Sequence, residues 1–198
     1  NLMYSPSISY SNNQGIHFSD VDCPPLKPGE NCTRVIDVNV TQAAVPGNNE
    51  VNVTASWTNG DGSTNSTKND TNVYVKNNTA LNIVEFQVNT SKSAGFEGRI
   101  SQFTVESFGN DQVEDIEFSI SGQNSSEMME WDLEFDPAVV DEVGRVGERK
   151  NVSLNASIPM NVDPGTYLAN VTADSLSSVC NPSSDCEDTV LINLTVTV

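Results

Sequence analysis

Read with an offset of 118 residues, the chain repeats itself. Gly29-Glu30 falls on Gly147-Glu148, Pro46-Gly47 on Pro164-Gly165, and Asn52-Val53-Thr54-Ala55 on Asn170-Val171-Thr172-Ala173, with no gap. A register held over that length marks two copies of one domain. The shared plan is a Gly-Glu turn, a strand, a Pro-Gly turn, a second strand, a polar loop and a last strand. Proline fixes φ and the following glycine can take a positive φ, which predicts a tight turn between strands.

The strands follow from a period of two. Ile36, Val38 and Val40 share a face within Val35 to Thr41. Val51, Val53, Ala55 and Trp57 share one within Glu50 to Trp57, and Asn72 to Val75 is a short third strand. The second copy continues with Val84 to Val88, Phe103 to Val105, Ile116 to Ile120, Trp131 to Phe135, Val152 to Ile158, Tyr167 to Thr172 and Val190 to Val198. Short alternating strands between Gly, Pro, Asn and Asp turns predict an all-β chain. The expectation is two tandem immunoglobulin-like β-sandwich domains, residues 1–78 and 79–198, joined near residues 77–80. The one helical spacing is Val139 to Val146, which predicts a short helical turn.

The copies differ at their beginnings. The second starts at the strand Ile83 to Val88. The same offset would start the first copy about 38 residues before Asn1. The first domain therefore lacks counterparts of the strands around Val84 to Val88 and Phe103 to Val105. A sandwich short of two strands leaves apolar faces and unpaired edges. Three sources could complete it: more chain in a longer array, Met3 to Tyr10 serving as a replacement strand, or a strand from a neighbouring subunit.

Twelve Asn-x-Ser/Thr sequons occur: Asn31, Asn39, Asn52, Asn65, Asn69, Asn77, Asn89, Asn124, Asn151, Asn155, Asn170 and Asn193. Pro182 excludes Asn181. Composition alone, 24 Asn with 38 Ser and Thr in 198 residues, gives about 4.6. The excess points to N-glycosylation and an exported chain. Asn39, Asn52, Asn155, Asn170 and Asn193 fall on outward phases, so glycans there would coat sheet faces and leave edges and domain ends for contact.

The four cysteines form two local couples, Cys23 with Cys32 and Cys180 with Cys186. In an exported chain they read as disulfides, and local pairing is favoured because each couple lies in its own copy. Zinc lacks a Cys-x-x-Cys pair, and His17 is the only histidine.

Nine Lys and Arg against 27 Asp and Glu leave a net charge of −18. That field repels phosphate backbones and excludes nucleic-acid binding. No apolar run approaches the roughly 20 residues that cross a bilayer. No leader is recognisable, so any leader has been removed and any anchor lies outside these residues.

No constellation carries catalysis. His17 lies on the polar phase of Gly15 to Ser19, away from any triad geometry. Glu114 with Asp115, and Glu187 with Asp188, are strand neighbours that point to opposite faces, whereas glycosidase carboxyls face each other across a cleft. Asn59-Gly60-Asp61-Gly62-Ser63, and Asp136 with Asp141, hold oxygen ligands for calcium, but the first lacks the spacing and terminal Glu of an EF-hand loop. No phosphate loop or dinucleotide fingerprint is present. Trp57, Trp131 and Tyr167 fall on inward phases and read as core; Tyr74 is the fourth candidate sugar-binding aromatic. No cofactor, metal site or enzymatic activity is expected.

The run Val143-Gly144-Arg145-Val146-Gly147-Glu148 leads into Val152 to Pro159, then Asp163-Pro164-Gly165-Thr166-Tyr167 and Ala169-Asn170-Val171-Thr172. This pattern resembles the Ig-like repeats of prokaryotic cell-surface glycoproteins, archaeal more than bacterial given the sequons and acid. The resemblance covers residues 80–198 well and 25–76 more weakly, because Asn48-Asn49 replaces Thr166-Tyr167. It implies a structural, spacing or adhesive role and carries no catalytic residues. The expected function is a non-catalytic, heavily N-glycosylated structural subunit of an extracellular filament or surface layer, assembled by donor-strand complementation. Its partners would be copies of itself or neighbouring domains of a longer surface protein. The alternative is an adhesion or carbohydrate-binding module of a larger surface protein.

Overall fold

The computed structural model describes residues 3–11, 14–176 and 186–198. It separates into two compact units, Asn1–Lys76 and Asn77–Val198. Both are built from β-strands, as the alternation predicts.

The second unit is a closed two-sheet sandwich. Its strands are β7 (Leu81–Ile83), β8 (Gln87–Ser93), β9 (Glu97–Ser107), β10 (Val113–Ser121), β11 (Glu134–Asp136), β12 (Val139–Val143), β13 (Arg149–Ser157), β14 (Gly165–Ser175) and β15 (Glu187–Thr197). One sheet runs β12-β10-β14-β15-β8 and the other β11-β13-β9-β7. All pairs are antiparallel except β8 beside β15. Inward residues of both sheets interdigitate, as aligned sheet packing requires. Phe103, Leu154, Ile116, Ile192 and Leu194 are fully buried. Phe103 meets Phe118 and Phe135 edge-on, with ring centroids 5.6 and 6.5 Å apart.

Two features of this domain depart from the alternation. Residues 84–86, expected inside one strand, are the crossover between sheets. Val84 N donates to Thr104 O of β9, while Phe86 O accepts from Leu191 N of β15. The Glu85 carboxylate accepts from Thr104 N and Oγ1 at 2.7 and 2.9 Å, fixing the point of departure. Val139 to Val146 is no helical turn; β12 occupies most of it. Its partner β10 carries Asp115 at φ 50°, a region Asp enters more readily than most residues. That residue resets the strand phase. Inward residues then stand three apart on both strands, Val113 and Ile116 opposite Val143 and Val140, which imitates helical spacing.

The single helix among the described residues is α1 (Ser125–Met129). At five residues it is too short to show a period. It inserts Met128, fully buried, beneath Trp131 at the end of the sandwich.

The first unit contains β1 (Met3–Tyr10), β2 (Ile16–Phe18), β3 (Val21–Asp22), β4 (Val38–Val40), β5 (Gly47–Asn59) and β6 (Thr64–Val75). One sheet runs β3-β1-β5-β6; the other layer is the ribbon β2-β4. The pairings identify each strand with one in the second unit. Val53 of β5 pairs Tyr10, as Val171 of β14 pairs Ile120, so β1 stands in the place of β10. By the same pairing logic β3 corresponds to β12, β2-β4 to β11-β13, and β5-β6 to β14-β15. Nothing among the described residues of the first unit corresponds to β7, β8 or β9. Met3–Tyr10 stands in the place of β10 and so takes the place of none of these three.

The offset of 118 relates the Gly-Glu turn and β5 to their counterparts and changes at the last strand. Gly47 pairs Val75, whereas Gly165 pairs Val196, so β6 and β15 stand 121 apart. The difference lies in the connection, a four-residue turn at residues 60–63 in the first unit. The Gly-Glu turns do coincide. Gly29 and Gly147 have φ of 85° and 86°, and Glu30 N and Glu148 N donate to Lys27 O and Arg145 O. The Pro-Gly turns do not coincide in detail: Gly47 has φ 96°, while Gly165 has no positive φ.

Candidate functional site

The feature of the first domain that sets it apart is its open half. In the second domain β9 pairs the whole length of β13. Its counterpart β4 has no such neighbour and is only three residues long, against the expected Val35 to Thr41. Val38 and Val40, expected inward and covered, are 44 and 43% exposed, and Val35 is 90% exposed. A strand paired on one side only, with no layer to bury its apolar residues, has little to hold it extended. The ribbon is anchored at its ends, by Ser19 N to Asp37 O and Thr41 N to Gly15 O.

The second open edge is β6. In the second domain β8 runs parallel to residues Leu191 to Thr197 of β15. With the 121-residue offset, that stretch corresponds to residues 70–76. Among the described residues, β6 pairs only β5, so the outer side of residues 70–75 has no strand partner, the arrangement that strand addition uses.

The face behind these edges grades from apolar to polar. On β15 the inward residues Val190, Ile192, Leu194 and Val196 are all buried. Their counterparts on β6 are Asn69, Thr71, Val73 and Val75. Only Val75 is buried, and Asn69 and Thr71 are exposed. Ile16, Ala44 and Val75 form the domain's small core cluster, with Phe18 and Val73 against it. Phe18 stacks on Tyr10 at 4.7 Å. Burial, and then the Asp20 charge, push the Tyr10 phenol up. Its hydroxyl is buried and finds no partner among the described residues. Trp57, expected in a core, is only half-buried; Trp131 and Tyr167 are buried and pack edge-to-face at 4.9 Å.

The charge is unevenly divided. Residues 1–76 carry four Lys and Arg against seven Asp and Glu, and residues 77–198 carry five against twenty. The net charges are −3 and −15. The open domain is close to neutral, and the closed one bears nearly all the acid.

The predicted site residues distribute as follows. Cys23 and Cys32 are disulfide-bonded, with Cα atoms 6.1 Å apart. Cys186 is buried and disulfide-bonded; Cys180 lies outside the described residues. None of the twelve sequon asparagines is buried. Asn31, Asn39, Asn65, Asn69, Asn77, Asn89 and Asn151 are exposed, and Asn52, Asn124, Asn155, Asn170 and Asn193 are half-buried. Asn77 Nδ2 donates to Asp111 Oδ2 at 2.9 Å, and Asn124 Oδ1 accepts from Leu168 N at 3.0 Å.

His17 is exposed and pairs Asn39 across the ribbon. The oxygen ligands of the 59–63 turn are engaged with one another. Ser63 N and Oγ donate to Asp61 Oδ1 at 2.9 and 2.6 Å, and the Ser63 bonds hold the Asp61 carboxyl below its ordinary value. Among the described residues no group of three His, Cys, Asp or Glu is placed to hold a metal ion. Asp136 and Asp141 belong to different sheets. No helix among the described residues is long and apolar enough to cross a membrane.

A residue pair missed in the sequence links the two copies. Tyr167 Oη donates to Asp163 O at 2.7 Å, a hydrogen bond from the start of a strand back to the preceding corner. This tyrosine corner is a hallmark of immunoglobulin-like sandwiches. In the first domain Asn49 stands at the equivalent position, and its Nδ2 donates to Val45 O at 2.8 Å. Donor and acceptor both lie 118 residues earlier. The amide preserves the corner bond while giving up the ring.

No family model matches the chain, and no curated protein matches it. Solved structures do align with it. Mouse cadherin-23 EC22-24 aligns over 97% of this chain and 52% of its own, at 10% identity and TM-score 0.48. The protocadherin gammaB7 EC3-6 cis-dimer structure aligns over 97% and 40%, at 11% identity and TM-score 0.47. The E. coli chaperone DraB aligns over 60% and 54%, at 9% identity and TM-score 0.41. The chain spans about half, or less, of these solved chains. Similarity at this level carries no functional argument. The fold assignment rests on the strand order and registers above: two tandem β-sandwich domains, the first with no counterpart of β7, β8 or β9 among its described residues.

Proposed function

We propose that the chain is a non-catalytic, N-glycosylated structural module of the cell exterior, whose first domain accepts a β-strand from another copy. The observation that carries this reading is the unpaired outer edge of β6 at residues 70–75, where the second domain has the parallel strand β8. The exposed Val38 and Val40 of the ribbon lie on the layer that β9 would extend, and Val35, just ahead of it, is exposed as well. Backbone pairing along such an edge supplies affinity, and alternate side chains set the register. The near-neutral first domain favours contact, because charge is depleted at the cores of interfaces. The strongly acidic second domain keeps copies apart elsewhere. The sequon density, and the Cys23–Cys32 disulfide, support an oxidising exterior.

Electron microscopy of the native material tests this. A strand from a neighbouring copy beside β6 is the expected result. Two results would overturn it: a strand belonging to the same longer chain at that edge, or an empty edge in a chain that stays monomeric at high concentration in its native salt.

A further inference from the structure

In β6, Asn65 pairs Trp57 and Asn69 pairs Val53. Residues paired directly across two strands project from the same side of the sheet. That side is the inner one, which buries Val51 and Val75. Two sequons therefore stand where the second domain keeps its core: the counterpart of Asn69 is Val190, which is fully buried. Between Thr64 and Asn72 every residue of β6 is exposed and none is hydrophobic. No apolar protein layer is specified there, yet Trp57 and Val53 project from β5 onto this same inner face and are only half-buried.

We propose that N-linked glycans on Asn65 and Asn69 cover this inner face, taking the place of the missing protein layer. A pyranose presents one face of C–H groups and a rim of hydroxyls, which suits an indole ring with Thr67 as its diagonal neighbour across the strands. Attachment directly opposite Trp57 holds the first sugar of Asn65 within reach of the ring at small entropic cost. The linkage forms between asparagine Nδ2, which loses one proton, and the anomeric carbon of a lipid-phosphate-linked glycan; the phosphate leaves with the bonding electron pair. The stretch at residues 70–75 lies farther along β6, so glycans and an added strand occupy different parts of the domain.

This inference rests on the glycosylated-exterior reading, and one experiment separates the two. Site-resolved glycopeptide mass spectrometry of the native full chain reports occupancy at each sequon. Acrylamide quenching of tryptophan emission then reports cover over Trp57, because Trp131 is only 2% exposed and stays shielded. Asn65→Gln and Thr67→Ala remove the same sequon by different residues. Each is expected to raise the quenching constant by about twofold, in line with uncovering a large aromatic surface. Asn151→Gln in the second domain is expected to leave it unchanged. A bare Asn65 beside other occupied sequons, or an occupied Asn65 with unchanged quenching in both variants, overturns the inference alone. Bare asparagines at all twelve sequons overturn the glycoprotein reading, and this inference with it.

Discussion

The two domains share turns, strand order and a corner hydrogen bond, yet one has a core and the other barely does. The second domain sets its four-stranded layer against five strands, and inward residues from Leu81 to Val196 are buried. The first domain keeps four of the five strands of the larger sheet and only a ribbon of the other, and its core cluster shrinks to Ile16, Ala44 and Val75. The hydrophobic gain scales with apolar area removed from water, so a sheet without its second layer gains little from the same alternation. The first domain compensates locally. The Cys23–Cys32 bond closes a loop between β3 and β4, and Arg34 Nε donates to Asp22 O across it.

The contrast predicts two unfolding transitions, since domains with separate cores need not unfold together. The sharpest probe is Phe103→Ala. Emptying the centre of the second domain lowers its stability by about 3–5 kcal/mol and leaves the first transition in place, as urea unfolding followed by circular dichroism will report. A single shifted transition would break the comparison.

Replacing Cys23 and Cys32 together by Ser removes a loop constraint of nine residues. The expected loss is about 2–3 kcal/mol, confined to the first transition and read in the same titration. The corner bonds come next. Tyr167→Phe removes the bond to Asp163 O, and Asn49→Ala removes the bonds to Val45 O and Gly47 O, at about 1 kcal/mol per bond, and each acts on its own domain's midpoint. Equal effects would show that Asn49 performs the corner role of Tyr167; an inert Asn49→Ala would separate the copies further.

The pH effects are smallest. Burial, and then the charges of Glu127 and Asp163, raise the Tyr167 phenol above its ordinary value near 10.0. A raised pKa favours the neutral form in the fold. Its contribution is complete below the ordinary value and is lost as pH rises through the folded one. Glu148 runs the other way. The Lys150 hydrogen bond and charge lower its carboxyl, so its contribution is present above the ordinary carboxylate range and lost on acidification. The pair is solvent-exposed, and Lys150→Ala should barely move a thermal melting curve. The alkaline effect should disappear in Tyr167→Phe.

Much of this contrast is legible in the residues. Val190 to Val198 alternates cleanly, and β15 follows it; Gly29-Glu30 and Gly147-Glu148 make the same turn at matching φ. The absence of counterparts to β7, β8 and β9 among the described residues of the first domain shows as an offset that runs past Asn1. Other features follow from pairings that local patterns do not encode. Asp115 turns the phase of β10, so β10 and its edge partner β12 mimic a helix. Val84 to Phe86 alternates like a strand but changes sheets, because Glu85 fastens it to Thr104. The three-residue shift at β6 comes from a shorter turn, and it moves Asn69 onto a core position. The Asn49 corner could have been found by asking which residue replaces Tyr167 and whether it carries a donor.

Hydrogen exchange on residues 70–75 tests the central claim most directly. In the separated chain, outward amides of β6 should exchange quickly while those of β15 are protected. In the native material the same β6 amides should become protected as a strand is added beside them. Fast exchange of β6 in both states would contradict the account and leave the first domain as an open sheet with no partner.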